Sequence, residues 1–171
     1  QLGKISGCHV IGIAGGPEKC AFVKNELNFD DCVDYKSHSF AKDLKDSCRN
    51  GIDVYFENVG GDVTKEIAKL LNPKSRVPIC GYISKYNEKD LLNTETPFHV
   101  LGRLNPNPSH RFFVVTEWAN QWEAATKELL DLVNENKIFY RETITDGFEN
   151  APQALRDVLS GKNFGKQIIK I

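Results

Sequence analysis

Three short glycine-containing turns follow apolar runs of this chain, and their residue types suit ligand binding. Glycine lets a ligand approach the backbone closely, while Asn and Ser add hydrogen bonds to sugar or carboxamide groups. One such turn is better explained by relief of backbone strain, but three in succession favour a binding site. The turns are Ala14-Gly15-Gly16, Glu57-Asn58-Val59-Gly60-Gly61 and Cys80-Gly81-Tyr82-Ile83-Ser84.

The first turn carries no carboxylate and is followed by a cation. In NAD-binding folds an acidic residue usually ends the corresponding strand and accepts hydrogen bonds from the ribose 2′-hydroxyl. Gly15 and Gly16 stand there instead, and Lys19 follows in the first turn of a predicted helix, where its cation and the helix amides can bind an anion. Tyr35 ends the next predicted strand. Alone, Lys19 could be a solvated lysine and Tyr35 a half-buried tyrosine; together they favour NADP over NAD.

The residue pattern gives little indication of a metal site or of a catalytic nucleophile. The five cysteines form no Cys-x-x-Cys pair, and the four histidines lack the spacing of metal ligands, so we expect reduced cysteines and no metal site. The sequence also contains no Gly-x-Ser-x-Gly elbow and no P-loop, the signals of a serine hydrolase and of an NTPase.

The overall composition limits the partners that the chain can have. Its 171 residues are 40% hydrophobic and 26% charged, with a net charge of -1. That balance provides no basic field for nucleic acid or anionic lipid, and no apolar run approaches the roughly 20 residues that cross a bilayer. We expect a cytoplasmic domain that acts on small molecules, without nucleic acid or membrane.

Apolar runs alternate with amphipathic segments along the chain. The runs predict strands at residues 8–14, 31–35, 52–56, 76–82, 111–116, 141–145 and 167–171. Helices are expected at residues 17–27, 39–48, 118–136 and 151–159, and around Val63, Ile67, Leu70 and Leu71. Residues 1–5 are expected to end a helix, and residues 84–97 to form a loop or lid. The alternation predicts an α/β fold with a doubly wound parallel sheet, whose ligands bind at the carboxyl ends of its strands.

Segments spread over nearly the whole chain resemble one family in order and spacing. They are QLGKISGCHVIGIAGGPEKC, FDDCVDYK, GIDVYFENVGG, RVPICGYISKYN, the FFVV strand, KIFYRETITDGFENAPQAL and GKNFGKQIIKI. The chain is similar to the cofactor-binding and C-terminal part of zinc-independent medium-chain dehydrogenases/reductases. More narrowly, it resembles the NADP-dependent alkenal, leukotriene and prostaglandin reductases and the curcumin-reductase-like enzymes.

The resemblance implies a role for each matching residue. Lys19 and Tyr35 would hold the 2′-phosphate of NADPH, and Gly15 and Gly16 would leave it room. Asn58 would contact the ribose and nicotinamide side, and Tyr86 would lie near the substrate carbonyl. The remaining expected cofactor contacts are Cys80, Gly81 and Ser84 in the cleft, Phe113, Val114 and Val115 along the nicotinamide, and Asn163.

The resemblance also implies an activity and a domain organisation. Family enzymes transfer hydride from NADPH to the β-carbon of an α,β-unsaturated ketone or aldehyde, and a phenol such as that of Tyr86 can donate a hydrogen bond to the enolate that forms. We expect a Rossmann-like NADP-binding domain at residues 1–120, without its first strand and glycine-rich turn. Residues 121–171 would complete it and return toward a substrate domain. A homodimer paired through the RFFVVT strand is expected, and without a substrate domain this chain is expected to be inactive.

Two other interpretations remain open from the sequence. One is a non-catalytic dinucleotide-binding or assembly module from a truncated gene. The other is a methyltransferase-like nucleoside binder, suggested by the alternating architecture and by the acidic Glu57 near a strand end.

Overall fold

The computed structural model describes residues 1–90 and 93–171. Within them the chain forms two compact units, one built from residues 1–37 and 124–171 and the other from residues 38–123. None of the helices in the described part of the chain is long and apolar enough to cross a membrane. The predicted boundary near residue 120, which concerns the domains of a whole enzyme, stays a prediction.

The first unit contains two pairs of parallel strands. Strands β1 (Ile11–Ala14) and β2 (Asp31–Asp34) pair in register from Ile11 with Asp31 to Ala14 with Asp34. Strands β6 (Glu142–Asp146) and β7 (Lys166–Lys170) form the second pair. The helices of this unit are α1 (Leu2–Ile5), α2 (Pro17–Asn25), α7 (Ala151–Leu159) and, from Ala124 onward, α6 (Trp122–Asn134). Helix α2 begins with proline at its first turn, where the missing N–H costs no intrahelical bond.

The second unit is a three-stranded parallel sheet with helices. Its strands are β3 (Ile52–Val54), β4 (Leu71–Ile79) and β5 (Ser109–Phe112), in the spatial order β3-β4-β5. Its helices are α3 (Phe40–Ser47), α4 (Gly61–Ala68) and α5 (Pro97–Gly102). Val77 and Ile79 of β4 pack with Leu101 of α5 in a core whose three members are each at most 1% exposed. Burial of these side chains fixes the end of β4, which leads directly into the third glycine turn.

The predicted parallel α/β fold is confirmed, but several element boundaries differ. Leu71, predicted to lie in a helix, begins β4, because α4 ends at Ala68 and the backbone turns into the sheet. The fifth strand, predicted over residues 111–116, ends at Phe112, and Val115 begins a 3₁₀ turn that delays the next helix to Trp122. Helix α5 was not predicted, although Thr96 caps it and Pro97 begins it. Residues 91 and 92 of the predicted loop lie outside the described residues.

Candidate functional site

The first glycine turn is held in place by an aspartate from the neighbouring strand. Gly16 adopts a φ of +97°, which favours glycine, and its N–H donates a 2.8 Å hydrogen bond to Asp34 Oδ1. The same oxygen accepts the N–H of Lys36 at 2.9 Å. These two backbone hydrogen bonds lower the pKa of Asp34. The sequence showed no carboxylate within this turn. In the structure, the Asp34 carboxylate lies beside it at the end of β2, and its Oδ1 already accepts two backbone N–H groups.

Lys19 reaches a loop near the C-terminus. Its ammonium donates a 2.6 Å hydrogen bond to the carbonyl oxygen of Gly161. The first helical residue of α2, Pro17, has no N–H, and the N–H of Gly16 is taken by Asp34. This end of α2 therefore offers an anion the Lys19 ammonium in addition to the backbone N–H groups of Glu18 and Lys19.

Tyr35 and Lys36 cover the open side of Gly15. A Cβ built on Gly15 would lie 2.9 Å from Tyr35 Cε1 and 3.0 Å from Lys36 Cε. The Lys36 ammonium lies 5.8 Å from the centre of the Tyr35 ring, and a Cβ built on Gly161 would lie 4.0 Å from it. Tyr35 and Lys36 thus lie over Gly15, and Gly161 lies beside the ammonium groups of both Lys36 and Lys19.

The loop that carries Gly161 also contains Asn163 and is held by an aromatic stack. The Arg141 guanidinium lies 4.0 Å from the ring centre of Phe164 and 5.8 Å from that of Phe22 on α2. The two rings contact each other edge to face at 5.0 Å. Asn163 Nδ2 donates a 2.8 Å hydrogen bond to the Gly165 carbonyl, and the side-chain amide oxygen of Asn163 takes no part in that bond. The loop of Asn163 therefore lies next to Lys19 at Gly161.

In the second unit, Glu57 organises the second glycine turn from inside. Its side chain is fully buried, and Oε1 accepts the N–H groups of Val59 at 2.8 Å and Gly60 at 2.9 Å. The other carboxylate oxygen accepts the hydroxyl of Thr64 on α4. Because the carboxylate is buried and occupied, it cannot accept hydrogen bonds from a bound ribose. The methyltransferase-like interpretation, which rested on this acidic residue, loses its support.

The second and third glycine turns of this unit meet at Gly81. A Cβ built on Gly81 would lie 2.5 Å from the Tyr86 hydroxyl oxygen and 2.8 Å from Asn58 Oδ1. The Tyr86 hydroxyl also accepts the N–H of Tyr82 at 3.3 Å. Ser84 Oγ lies near Gly60, 3.3 Å from a Cβ built there. The predicted residues Asn58, Gly81, Ser84 and Tyr86 are therefore neighbours, and the lack of a side chain at Gly81 leaves space for the tyrosine hydroxyl.

The remaining predicted residues of this unit lie near the ends of β4 and β5. Cys80 is exposed, and its N–H donates to the Glu57 carbonyl at 2.8 Å. Phe113 donates its N–H to the Ile79 carbonyl at 3.1 Å, beside Cys80 in the neighbouring strand. Its ring packs edge to face on Phe56 and Trp118, at 6.2 and 5.5 Å. Val114 and Val115 are exposed.

Sequence reasoning missed Lys36, Asp34, Gly161 and the positioning role of Glu57. Lys36 directly follows Tyr35 and lies just beyond β2, so the rule that selected Tyr35, a polar residue at a strand's carboxyl end, could have found it. The contact between Lys19 and Gly161 spans 142 positions, and no local signal indicates it. Within residues 1–90 and 93–171, no group of three His, Cys, Asp or Glu side chains could hold a metal ion.

Known proteins resemble this chain over its full length. The family described as zinc-binding dehydrogenases matches residues 1–131. This chain belongs to that family. The NADPH-dependent curcumin reductase of Escherichia coli is 41% identical over 100% of the chain, and prostaglandin reductase 1 of Sus scrofa is 38% identical over 99%. The structure of CurA from Vibrio vulnificus in complex with NADPH superposes with a TM-score of 0.90 at 41% identity and covers 99% of the chain.

These relatives confirm the resemblance to the zinc-independent medium-chain branch of the family, and with it the Rossmann-like fold class. The chain spans about half the length of the proteins that it matches, 50% of the curcumin reductase and 51% of the CurA chain.

Proposed function

We propose that this chain is the cofactor-binding portion of an NADPH-dependent oxidoreductase that reduces the C=C bond of α,β-unsaturated ketones and aldehydes. The observation that carries the proposal is the group of side chains beside Gly15 and Gly161: Tyr35 and Lys36 lie where a Cβ on Gly15 would collide, and the Lys19 ammonium donates to the Gly161 carbonyl. The names of two similar proteins, an NADPH-dependent curcumin reductase and a CurA bound to NADPH, support the choice of cofactor.

The residues of the first unit fit the phosphate end of NADP. A 2′-phosphate carries between one and two negative charges near neutral pH, and ammonium and phenol donors suit its oxygens. Lys19 and Tyr35 would hold this group, with Gly15 and Gly16 providing room and Asn163 a further contact. The 2′-phosphate is absent from NAD, so the same residues would discriminate between the two cofactors.

The residues of the second unit fit the reacting end. Asn58 would contact the ribose and nicotinamide side, and Cys80, Gly81, Ser84, Phe113, Val114 and Val115 would line the cofactor. Bound NADPH would supply a hydride for the β-carbon of the substrate. Tyr86 would donate a hydrogen bond from its hydroxyl to the substrate oxygen, because negative charge develops there as the enolate forms.

The proposed enzyme is a homodimer paired through the RFFVVT segment. In the described part of the chain, β5 pairs only with β4, so its other edge offers free backbone groups to a second copy. Phe112 at this strand's end is 46% exposed. Sedimentation of this chain is expected to show a dimer, and a monomer at high concentration would contradict this part of the proposal. The cytoplasmic location stays a prediction from composition.

NADPH fluorescence tests the proposal in two steps. Adding the chain to NADPH is expected to raise the fluorescence, because binding removes the nicotinamide from water. An α,β-unsaturated ketone is then added, with the saturated ketone as control. We expect no oxidation of NADPH, because the chain spans only about half the length of the related proteins. Oxidation with the unsaturated ketone alone would contradict inactivity while supporting the reaction, and no fluorescence change at all would contradict cofactor binding.

A further inference from the structure

We infer that Lys36 is a second cation of the 2′-phosphate site and that it sets the preference for NADPH together with Lys19. The inference rests on the proposed function and adds a specificity-determining residue to it. The sequence-derived set of binding residues, which included Tyr35 directly before it, did not contain this lysine.

The position of Lys36 is the first argument. Its Cε lies 3.0 Å from a Cβ built on Gly15, and its ammonium lies 4.0 Å from one built on Gly161. Gly161 is the residue whose carbonyl accepts the Lys19 ammonium at 2.6 Å. Both ammonium groups are therefore neighbours of the same glycine, and Tyr35 is the third side chain at this place, with its ring 5.8 Å from the Lys36 ammonium.

The backbone around Lys36 is fixed, which is the second argument. The N–H of Lys36 and the N–H of Gly16 donate to one oxygen of Asp34, so this carboxylate joins the turn after β2 to the turn after β1. A lysine on a fixed backbone loses less freedom when it binds an anion than one on a free loop.

The third argument is the charge that the site must balance. A 2′-phosphate dianion needs more than the single charge of Lys19. Helix α2 offers fewer N–H groups than usual at its start, because Pro17 has none and the N–H of Gly16 donates to Asp34, and the carboxylates of Glu18 and Asp34 add negative charge. The Lys36 ammonium, beside the same Gly161 as the Lys19 ammonium, supplies a second positive charge.

Titration calorimetry with NADPH and NADH tests the inference on five forms of the chain: the wild type, Lys36→Ala, Lys36→Arg, Lys19→Ala and Lys127→Ala. Lys127 is an exposed lysine of α6 that pairs with Asp131 and serves as the matched control. We expect Lys36→Ala to weaken the binding of NADPH about ten-fold, as the loss of a charged hydrogen bond does, and to leave the binding of NADH unchanged. Lys36→Arg, which keeps the charge, is expected to retain most of the preference for NADPH.

Each other outcome identifies which proposal fails. If Lys19→Ala weakens the binding of NADPH while Lys36→Ala does not, the role inferred for Lys36 is contradicted and the proposed cofactor site stands. If Lys36→Ala weakens NADPH and NADH equally, Lys36 acts on the turn rather than on the 2′-phosphate, and the inference is overturned. If the wild type binds neither cofactor, the proposed function fails and the inference fails with it.

Discussion

The Lys19 ammonium donates a 2.6 Å hydrogen bond to the Gly161 carbonyl, 142 positions further along the chain. The contact joins the start of α2 to the loop between α7 and β7, and the same loop carries Asn163. Asn163, which the resemblance assigns to the same cofactor as Lys19, is two residues along the chain from Gly161. The loop is consequently part of the proposed phosphate site, and anything that loosens it is expected to reduce NADPH binding.

Arg141 is the residue whose replacement is expected to loosen this loop. Its planar guanidinium stacks 4.0 Å from the centre of the Phe164 ring, and a lysine cannot reproduce that stack. We expect Arg141→Lys to cost about 0.5–1 kcal/mol of unfolding free energy in urea and to weaken NADPH more than NADH. Arg156→Lys on α7 is the control. An unchanged urea midpoint for Arg141→Lys would show that the stack contributes nothing.

We expect NADPH binding to depend on the absence of a side chain at Gly81. In Gly81→Ala the new methyl group would meet the Tyr86 hydroxyl and Asn58 Oδ1, both at the ends of side chains that can move. The fold should therefore tolerate the change, with a shift in stability below about 1 kcal/mol. Binding of NADPH should weaken, whereas binding of 2′,5′-ADP, which lacks nicotinamide, should not.

Gly102→Ala is the control for this experiment, because a Cβ there meets nothing within 4 Å. Equal weakening of NADPH and 2′,5′-ADP by Gly81→Ala would contradict the assignment of Gly81 to the nicotinamide end.

The sequence predicted the parts of the fold and site that depend on local pattern. Apolar runs predicted the strands. The glycine turns at the carboxyl ends of those strands pointed to Gly15, Asn58 and Gly81 as candidate site residues, because parallel sheets bind ligands at that edge. The roles of Glu57 and Gly161 could not be predicted. Whether a carboxylate near a strand end faces solvent or turns inward to its own backbone depends on packing, and the partner of Lys19 depends on a contact across most of the chain.

Glu57 is expected to stabilise the second unit strongly. In Glu57→Gln the amide oxygen can still accept the N–H groups of Val59 and Gly60, but the amide nitrogen cannot accept the Thr64 hydroxyl. We expect a loss of about 1–3 kcal/mol in the free energy of unfolding, as for a buried polar group left without its partner. Glu66→Gln, on the accessible side of α4, should cost far less. Equal effects in urea denaturation would contradict the role of Glu57.

Asp30 makes the stability of the first unit depend on pH. The hydrogen bonds from the Lys4 ammonium and the Val10 N–H lower the pKa of Asp30 to about 2. A folded-state pKa below the unfolded value stabilises the protein above the unfolded pKa, and this contribution is lost as pH falls through the folded pKa. We therefore expect Asp30→Asn to lower Tm near neutral pH.

That difference should shrink as the pH falls from about 4 toward 2, where the wild-type carboxyl becomes protonated too. Glu142→Gln, an exposed position on β6, is the control. A Tm difference that is constant from neutral pH to pH 2, within the range where the chain stays folded, would contradict the role of ionised Asp30.

The central claim is that this chain binds NADP through its 2′-phosphate, and calorimetry with NADPH and NADH tests it most directly. The wild type and Lys19→Ala are measured side by side with both cofactors. The account predicts that the wild type binds NADPH more tightly than NADH and that Lys19→Ala removes most of this difference. Equal binding of both cofactors, unaffected by Lys19→Ala, would contradict it.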